Sequence, residues 1–322
     1  MSRFIHLITF VMLSTFGLGT SHAQSLTVYT AGPGNLGKKL ALGFEHKTGI
    51  KVDLFQATTG KVMARIEAES GNPRADVLIS ASWDTAQDLE KRGWLLDYQS
   101  PNAAHVPPMF KGPSYVAQGV SALGIVWNTR SGKPEPRDWS DLAAPAYRNQ
   151  VTTPNPALSG ASLDLILGLQ ERLGDSAWKL FSSLHANGMI VQGPNAQAIT
   201  PVLQGAKAAV FGAVDYVAYG AAANGESVKV IFPSSGTVIA PRPMMILKTS
   251  HEQDAARAFV DYVLSDEGQK LVAAAWLMPA RDDISTSRPK FQDLKLLPQG
   301  GESNAKSRAE VLAHFNALFG EH

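Results

Sequence analysis

A few short stretches of this 322-residue chain carry side chains and bare amides of the kinds that could hold a small polar ligand. Gly32-Pro33-Gly34-Asn35-Leu36-Gly37 has the form G-x-G-x-x-G, with Asp53 in the stretch that follows. Between a strand and a helix that pattern seats a dinucleotide pyrophosphate, with the acid on a ribose hydroxyl. Here Asp53 is followed by Leu54 and Phe55 within its strand, whereas a ribose-binding acid belongs at the strand's end. What survives is either a tight turn or a simpler chemistry, in which the amides opening a helix at Gly34 and Asn35 favour an anion. Thr58-Thr59-Gly60-Lys61 repeats the arrangement, its hydroxyls suiting phosphate, sulfate or carboxylate, or else an N-cap. Ser80-Ala81-Ser82-Trp83-Asp84 follows a third strand, and Trp83 offers either a ring for a sugar to stack on or ordinary packing.

Further along, Ser159-Gly160-Ala161-Ser162 is a second Ser-rich helix start, and Asn195 is another polar group at such a position. Each of these is explained separately by capping. Together they describe helix starts that clamp an anion from two sides. Asp215 and Tyr216 add a carboxylate and a phenol, where Asp215 could accept from a sugar hydroxyl or an ammonium; buried without such a partner it would be costly. Arg242, between Pro241 and Pro243, is either an anion ligand or a solvated hinge residue. Enzyme signatures are missing: there is no G-x-S-x-G and no H-E-x-x-H, the histidines have no metal-ligand spacing, and Asp282-Asp283 reads as solvated loop. No catalytic residue, metal or cofactor is expected.

Elements must position these groups, and composition limits what they build. Arg3, an apolar run over residues 4–16 and the small-residue site Ser21-His22-Ala23 read as an export leader (residues 1–23), cleaved after Ala23. The run is shorter than the roughly 20 apolar residues of a membrane span. Without cysteines there is no disulfide, lipid-anchored Cys or thiolate site, which suits a bacterial periplasm. The net charge is +1, and removing Arg3 with the leader makes it zero, which argues against nucleic-acid or membrane-surface binding through bulk charge.

Residues 26–30, 50–55 and 75–80 read as strands, alternating with helices over 32–44, 61–70 and 85–92. That alternation predicts α/β architecture with a mainly parallel sheet and flanking helices. A long apolar strand over 120–127 and a proline-interrupted one over 237–247 bracket a second α/β block. The expected division is a first lobe of residues 24–120 plus 243–322, a second lobe of 121–242 inserted in it, and a two-strand hinge between them. Such a cleft closes around its ligand.

The chain resembles the family-1 extracellular solute-binding proteins, periplasmic receptors of ABC importers, over nearly all of residues 24–295. The resemblance rests on Thr48-Gly49-Ile50-Lys51-Val52, Asn72-Pro73-Arg74-Ala75-Asp76-Val77, Gly124-Ile125-Val126-Trp127-Asn128-Thr129, Asp138-Trp139-Ser140-Asp141-Leu142 and Leu264-Ser265-Asp266-Glu267-Gly268-Gln269. It implies a two-lobed type II periplasmic-binding-protein fold, a monomer that delivers a small anionic organic solute to an inner-membrane ABC permease without doing chemistry. The ferric-binding members supply a His in the first turn, a Glu after strand three and two adjacent tyrosines. This chain has Gly32-Pro33-Gly34-Asn35, Ser80-Ala81-Ser82-Trp83, and Tyr216 and Tyr219 three residues apart. Thr58-Thr59-Gly60-Lys61, Leu158-Ser159-Gly160-Ala161-Ser162, Val214-Asp215-Tyr216 and Pro233-Ser234-Ser235-Gly236-Thr237-Val238 resemble instead the branch that binds hexose phosphates and 2-aminoethylphosphonate. That branch implies hydroxyls on the phosphoryl oxygens and Asp215 on the organic part. A ferric receptor is the first alternative, and an exported nucleotide-binding oxidoreductase the second.

Overall fold

The computed structural model describes residues 25–297 and 305–320. The expected leader and its cleavage point lie outside the described residues. Strand β1 (Ser25–Thr30) turns into helix α1 (Gly34–Thr48), which buries Leu36, Leu40 and Phe44, one face at a four-residue spacing. Gly49 stops it: at φ 76° its amide returns to the Glu45 carbonyl at 2.8 Å, a left-handed turn that a Cβ would disfavour. Strand β2 (Lys51–Gln56), helix α2 (Thr59–Ala68), strand β3 (Val77–Ile79) and helix α3 (Trp83–Lys91) continue the alternation. β1 lies between β2 and β3, parallel to both.

Strand β4 (Tyr115–Asn128) crosses from one lobe to the other. Up to Ala122 it pairs antiparallel with strand β9 (Ile239–Ile246), and from Leu123 onward with strands β7 (Ala209–Val214) and β8 (Val228–Ile231). The second lobe adds strand β5 (Val151–Pro154), helices α4 (Gly160–Leu173) and α5 (Asp175–Ala186), strand β6 (Ile190–Gln192), helix α6 (Asn195–Leu203) and helix α7 (Asp215–Ala223). The strand order is β2-β1-β3-β9-β4-β7-β5-β6, with strand β10 (Met278–Pro279) also on β4. The expected parallel pairing holds for the three outer strands of each lobe. Each sheet is mixed, because β9 runs antiparallel to β3 and β4 antiparallel to β7.

β9 is not interrupted at its prolines, as the sequence suggested. Pro241 pairs with Val120 and Pro243 with Ala117. Two residues apart, both rings direct their missing donors to the same side of the strand. On that side β3 has already ended at Ile79, and the Pro243 carbonyl takes the Ser80 amide at 2.9 Å. No ladder bond is lost there, which is why the strand tolerates them.

Helices cover both faces of each sheet. In the first lobe α1, α8 (Gln253–Val263) and α9 (Asp266–Ala274) bury Phe44, Phe259 and Val272 on one face, while α2 and α3 bury Val62, Ile66 and Leu89 on the other. In the second lobe α4 and α5 bury Leu165, Leu169 and Phe181. The terminal helix α10 (Ala305–Phe319) corrects the expected division, which placed residues 243–322 with the first lobe. Val311, Phe315 and Phe319 pack into the second-lobe core, and Phe315 meets the Phe181 ring edge-on at 6.0 Å.

Candidate functional site

Helix starts from the two lobes meet in the cleft. Ser82 precedes α3 in the first lobe, and Gly160 begins α4 in the second. A Cβ placed on Gly160 would stand 3.0 Å from the Ser82 Cβ, so any other residue there would press the two helix starts apart by a few tenths of an ångström. The arrangement sets two positive helix ends, one from each lobe, side by side. Ser82 is 5% exposed and makes no side-chain cap bond. Ser159 does cap α4, taking the Ser162 amide at 3.2 Å, and also accepts from Asn195 Nδ2 at 2.8 Å. Thr58 caps α2 through the Lys61 amide at 3.5 Å, and Thr59 Oγ1 accepts from the Ala81 amide at 3.4 Å. Thr59 is half-buried, and beside it Gly60 is exposed.

Arg242 is no solvated hinge residue. It is 3% exposed, and its side chain spans the lobes. Nη1 donates to the Ala31 carbonyl at 3.0 Å, Nη2 to the Tyr216 hydroxyl at 3.3 Å, and the guanidinium lies 5.2 Å from the Tyr216 ring centre. Its Nε has no partner. Opposite Arg242, β4 bulges between Ala117 and Val120, which turns Gln118 toward the β1–α1 turn. Gln118 Oε1 reaches the neighbourhood of Gly32 and is likewise buried without a partner, as is Asn195 Oδ1. A buried polar atom left unpaired costs about 1–3 kcal/mol, so a ligand that satisfies these atoms gains that much.

Other candidates have contacts of their own within the protein. Asp215 is fully buried at the start of α7, where Oδ2 takes the Ala122 amide at 2.9 Å and forms an ion pair with Arg288. Burial pushes its carboxyl up, and the Arg288 guanidinium and the Ala122 amide oppose that push. The role of free acceptor for the organic part of a ligand therefore does not fit Oδ2, though Oδ1 stays unpartnered. Arg288 also donates to the Trp276 carbonyl at 2.8 Å, and Trp276 is held at φ 63°, uncommon for a bulky residue. Trp83 packs edge-on against Tyr115 at 5.0 Å and stays half-buried. Ser80 Oγ is used by Thr85 and the Ser82 amide, Ser162 Oγ by the Pro154 carbonyl, and the Ala161 methyl lies in the core. Gly34 and Asn35 are exposed at the rim, where the Gly34 carbonyl accepts from Gln56 Nε2 at 2.8 Å.

Among the described residues one group has metal-ligand proximity, His105 with Asp282 and Asp283, all exposed. Tyr216 faces Arg242, whereas Tyr219 stacks on Trp276 at 6.0 Å and burial pushes its phenol up. The two phenols thus have different neighbours. A cavity of about 740 Å³ between the lobes is lined by Trp83, Asp84, Asp164, Trp178, Pro241 and Arg308. Side chains alternate along a strand, so Pro241 and Arg242 point to opposite faces of β9. The cavity therefore lies behind the crossing strand, away from Arg242 and Gln118.

Sequence reasoning missed Gln118, Arg288 and Arg308. A Gln-Gly pair inside an apolar strand is a bulge signal and could have found the first. No described helix is long and apolar enough to cross a membrane.

Comparison with known proteins agrees with this geometry. Residues 72–301 match the family described as bacterial extracellular solute-binding protein. A putative 2-aminoethylphosphonate-binding periplasmic protein of Salmonella typhimurium is 23% identical over 270 residues, 81% of this chain and 78% of that protein. The periplasmic binding protein AfuA of Actinobacillus pleuropneumoniae, solved with exogenous fructose-6-phosphate bound, superposes with a TM-score of 0.83 at 24% identity, covering 92% of this chain and 98% of that one. Iron-bound HitA of Pseudomonas aeruginosa gives 0.80 at 21% identity, covering 92% and 99%. The fold is that of the type II periplasmic binding proteins. The chain belongs to the bacterial extracellular solute-binding proteins, and it is the solute-binding component of an ABC transporter rather than an enzyme.

Proposed function

We propose that the cleft closes on a small organic phosphate or phosphonate and presents it to an inner-membrane permease in the periplasm. Two observations carry this reading: the approach of the α3 and α4 starts at Ser82 and Gly160, and a buried Arg242 that bridges Ala31 and Tyr216 with its Nε unpartnered. Helix N-termini and a guanidinium favour a multiply charged oxyanion, and in a water-poor cleft these interactions gain strength. Thr59 and Ser82 supply hydroxyls for the phosphoryl oxygens.

The organic part is matched by what else is unsatisfied. Gln118 Oε1 and Asn195 Oδ1 are neutral acceptors that need donors. A sugar's hydroxyls provide these without adding charge. An ammonium would need an uncompensated carboxylate, and Asp215 is already paired with Arg288. The reading is therefore a hexose phosphate rather than 2-aminoethylphosphonate. One observation favours the second: the unpartnered Asp215 Oδ1 could accept from an ammonium. The guanidinium of Arg288 beside it opposes that.

Ligand-stripped protein titrated calorimetrically with glucose 6-phosphate, inorganic phosphate and ferric citrate tests this. Micromolar or tighter binding of the sugar phosphate is the expected result. Heat with ferric citrate alone, and a visible tyrosinate-to-iron colour lost in Tyr216→Phe, would replace this reading with the ferric one.

A further inference from the structure

The C-terminal helix contributes a group to the lobe junction. α10 is fixed to the second lobe by Val311, Phe315 and Phe319, and Arg308 lies about one turn before Val311. Its Nη1 pairs with Asp164 of α4 at 2.7 Å and, on the other side, with Asp84 of α3. Asp84 belongs to the first lobe and stands two residues beyond Ser82, the residue that meets Gly160. Lobe motion that parts Ser82 from Gly160 also shifts Asp84 against Arg308, because Arg308 travels with α4 and α10.

We propose that Arg308 is a positioning residue that clamps the closed cleft: it stays on Asp164 in both states and takes Asp84 only on closure. The side chains are partly shielded, at 17% exposure for Arg308, 30% for Asp84 and 18% for Asp164. Shielding makes the pair stronger than a rim contact, yet enough water reaches Asp84 to hydrate it on opening. A ligand that binds only the closed form has its apparent affinity reduced by the fraction of molecules not closed. Arg308 therefore acts on affinity without touching the ligand, whatever that ligand is.

The chain has no cysteines, so labels can be placed at Lys39→Cys on α1 and Ser176→Cys on α5, both exposed positions on different lobes. Pulsed electron–electron distance measurements on the full chain, with and without glucose 6-phosphate, read closure directly. The parent is expected to show a short-distance population that Arg308→Gln and Asp84→Asn each reduce about three- to fivefold. High salt should reduce it too, and the double variant should be no worse than the more affected single. Asp84→Asn is the decisive arm, since it lies on the opposite lobe and cannot undock α10. A parent without the short-distance population overturns the proposal. So do variants that keep the parent's distances, including variants that only melt earlier, which would make Arg308 a fastener of α10 and nothing more. Because the readout is a distance, it stands whether or not a sugar phosphate is the ligand.

Discussion

Two arginines tie the lobes together under opposite conditions. Arg288, from the first-lobe segment after β10, pairs with Asp215 at the start of α7, with both side chains fully buried. Arg308, from α10, pairs with Asp84 and Asp164 at partly exposed positions. The first pair sits beside the crossing strands, with the β4 amide of Ala122 on the same carboxylate, so it moves little when the lobes swing. The second lines the cavity behind the crossing strand, between α3 of one lobe and α4 and α10 of the other, so lobe motion shifts its partners against each other. A buried pair next to the hinge is the one whose broken half costs stability, whereas a shielded pair across the lobe junction can be hydrated and re-formed.

The comparison breaks most visibly at Arg288. Arg288→Met leaves Asp215 charged and buried, which costs about 3–5 kcal/mol. Urea denaturation should show that loss, and Asp215→Leu with Arg288→Met should recover most of it, since an apolar pair of similar volume is often neutral. A single variant within about 1 kcal/mol of the parent would show that water reaches the pair.

Ligand contacts come next. Arg242→Gln should weaken glucose 6-phosphate binding by roughly tenfold or more, as a charge-assisted hydrogen bond contributes about 1.5–3 kcal/mol. Unchanged affinity by calorimetry would remove Arg242 from the site and leave it as a brace between Ala31 and Tyr216. Thr59→Val should cost several-fold, less than Arg242→Gln, because only a neutral hydroxyl is lost. A larger loss than at Arg242 would move the phosphoryl group toward α2.

The smallest effect is in pH. Burial pushes the Asp164 carboxyl up to about 6, against the pull of Arg308. The folded chain then keeps a proton on Asp164 that the unfolded chain releases near its ordinary value of 3.8. That contribution to stability is full below about pH 4 and is lost as pH rises through about 6. Asp164→Asn should remove this part of the slope between those limits in denaturant titrations. A slope equal to the parent's would place the titration elsewhere.

The scaffold and the helix starts were readable because their signals are local. Thr58 and Ser159 cap helices where Thr58-Thr59-Gly60-Lys61 and Ser159-Gly160-Ala161-Ser162 read as helix starts. The bridging groups were not, because nothing near Arg288 or Arg308 in sequence announces a partner. Asp215 lies 73 residues from Arg288, and Asp164 and Asp84 lie 144 and 224 from Arg308. Asp215 shows the same limit from the other side: a carboxylate at a helix start in the cleft reads as a ligand group until its counter-ion is known. β9 was read as interrupted because prolines argue against a strand, and the early end of β3 that accommodates them is visible only in three dimensions.

The proposed ligand is an organic phosphate whose organic part carries no positive charge. The most direct measurement is the ratio of dissociation constants for glucose 6-phosphate and 2-aminoethylphosphonate on the same ligand-stripped protein. Tighter binding of the sugar phosphate by at least tenfold, about 1.4 kcal/mol, is expected, since Asp215, the carboxylate that an ammonium would need, is already paired with Arg288. Equal binding, or preference for 2-aminoethylphosphonate, would contradict it and make the unpartnered Asp215 Oδ1 the ammonium's acceptor.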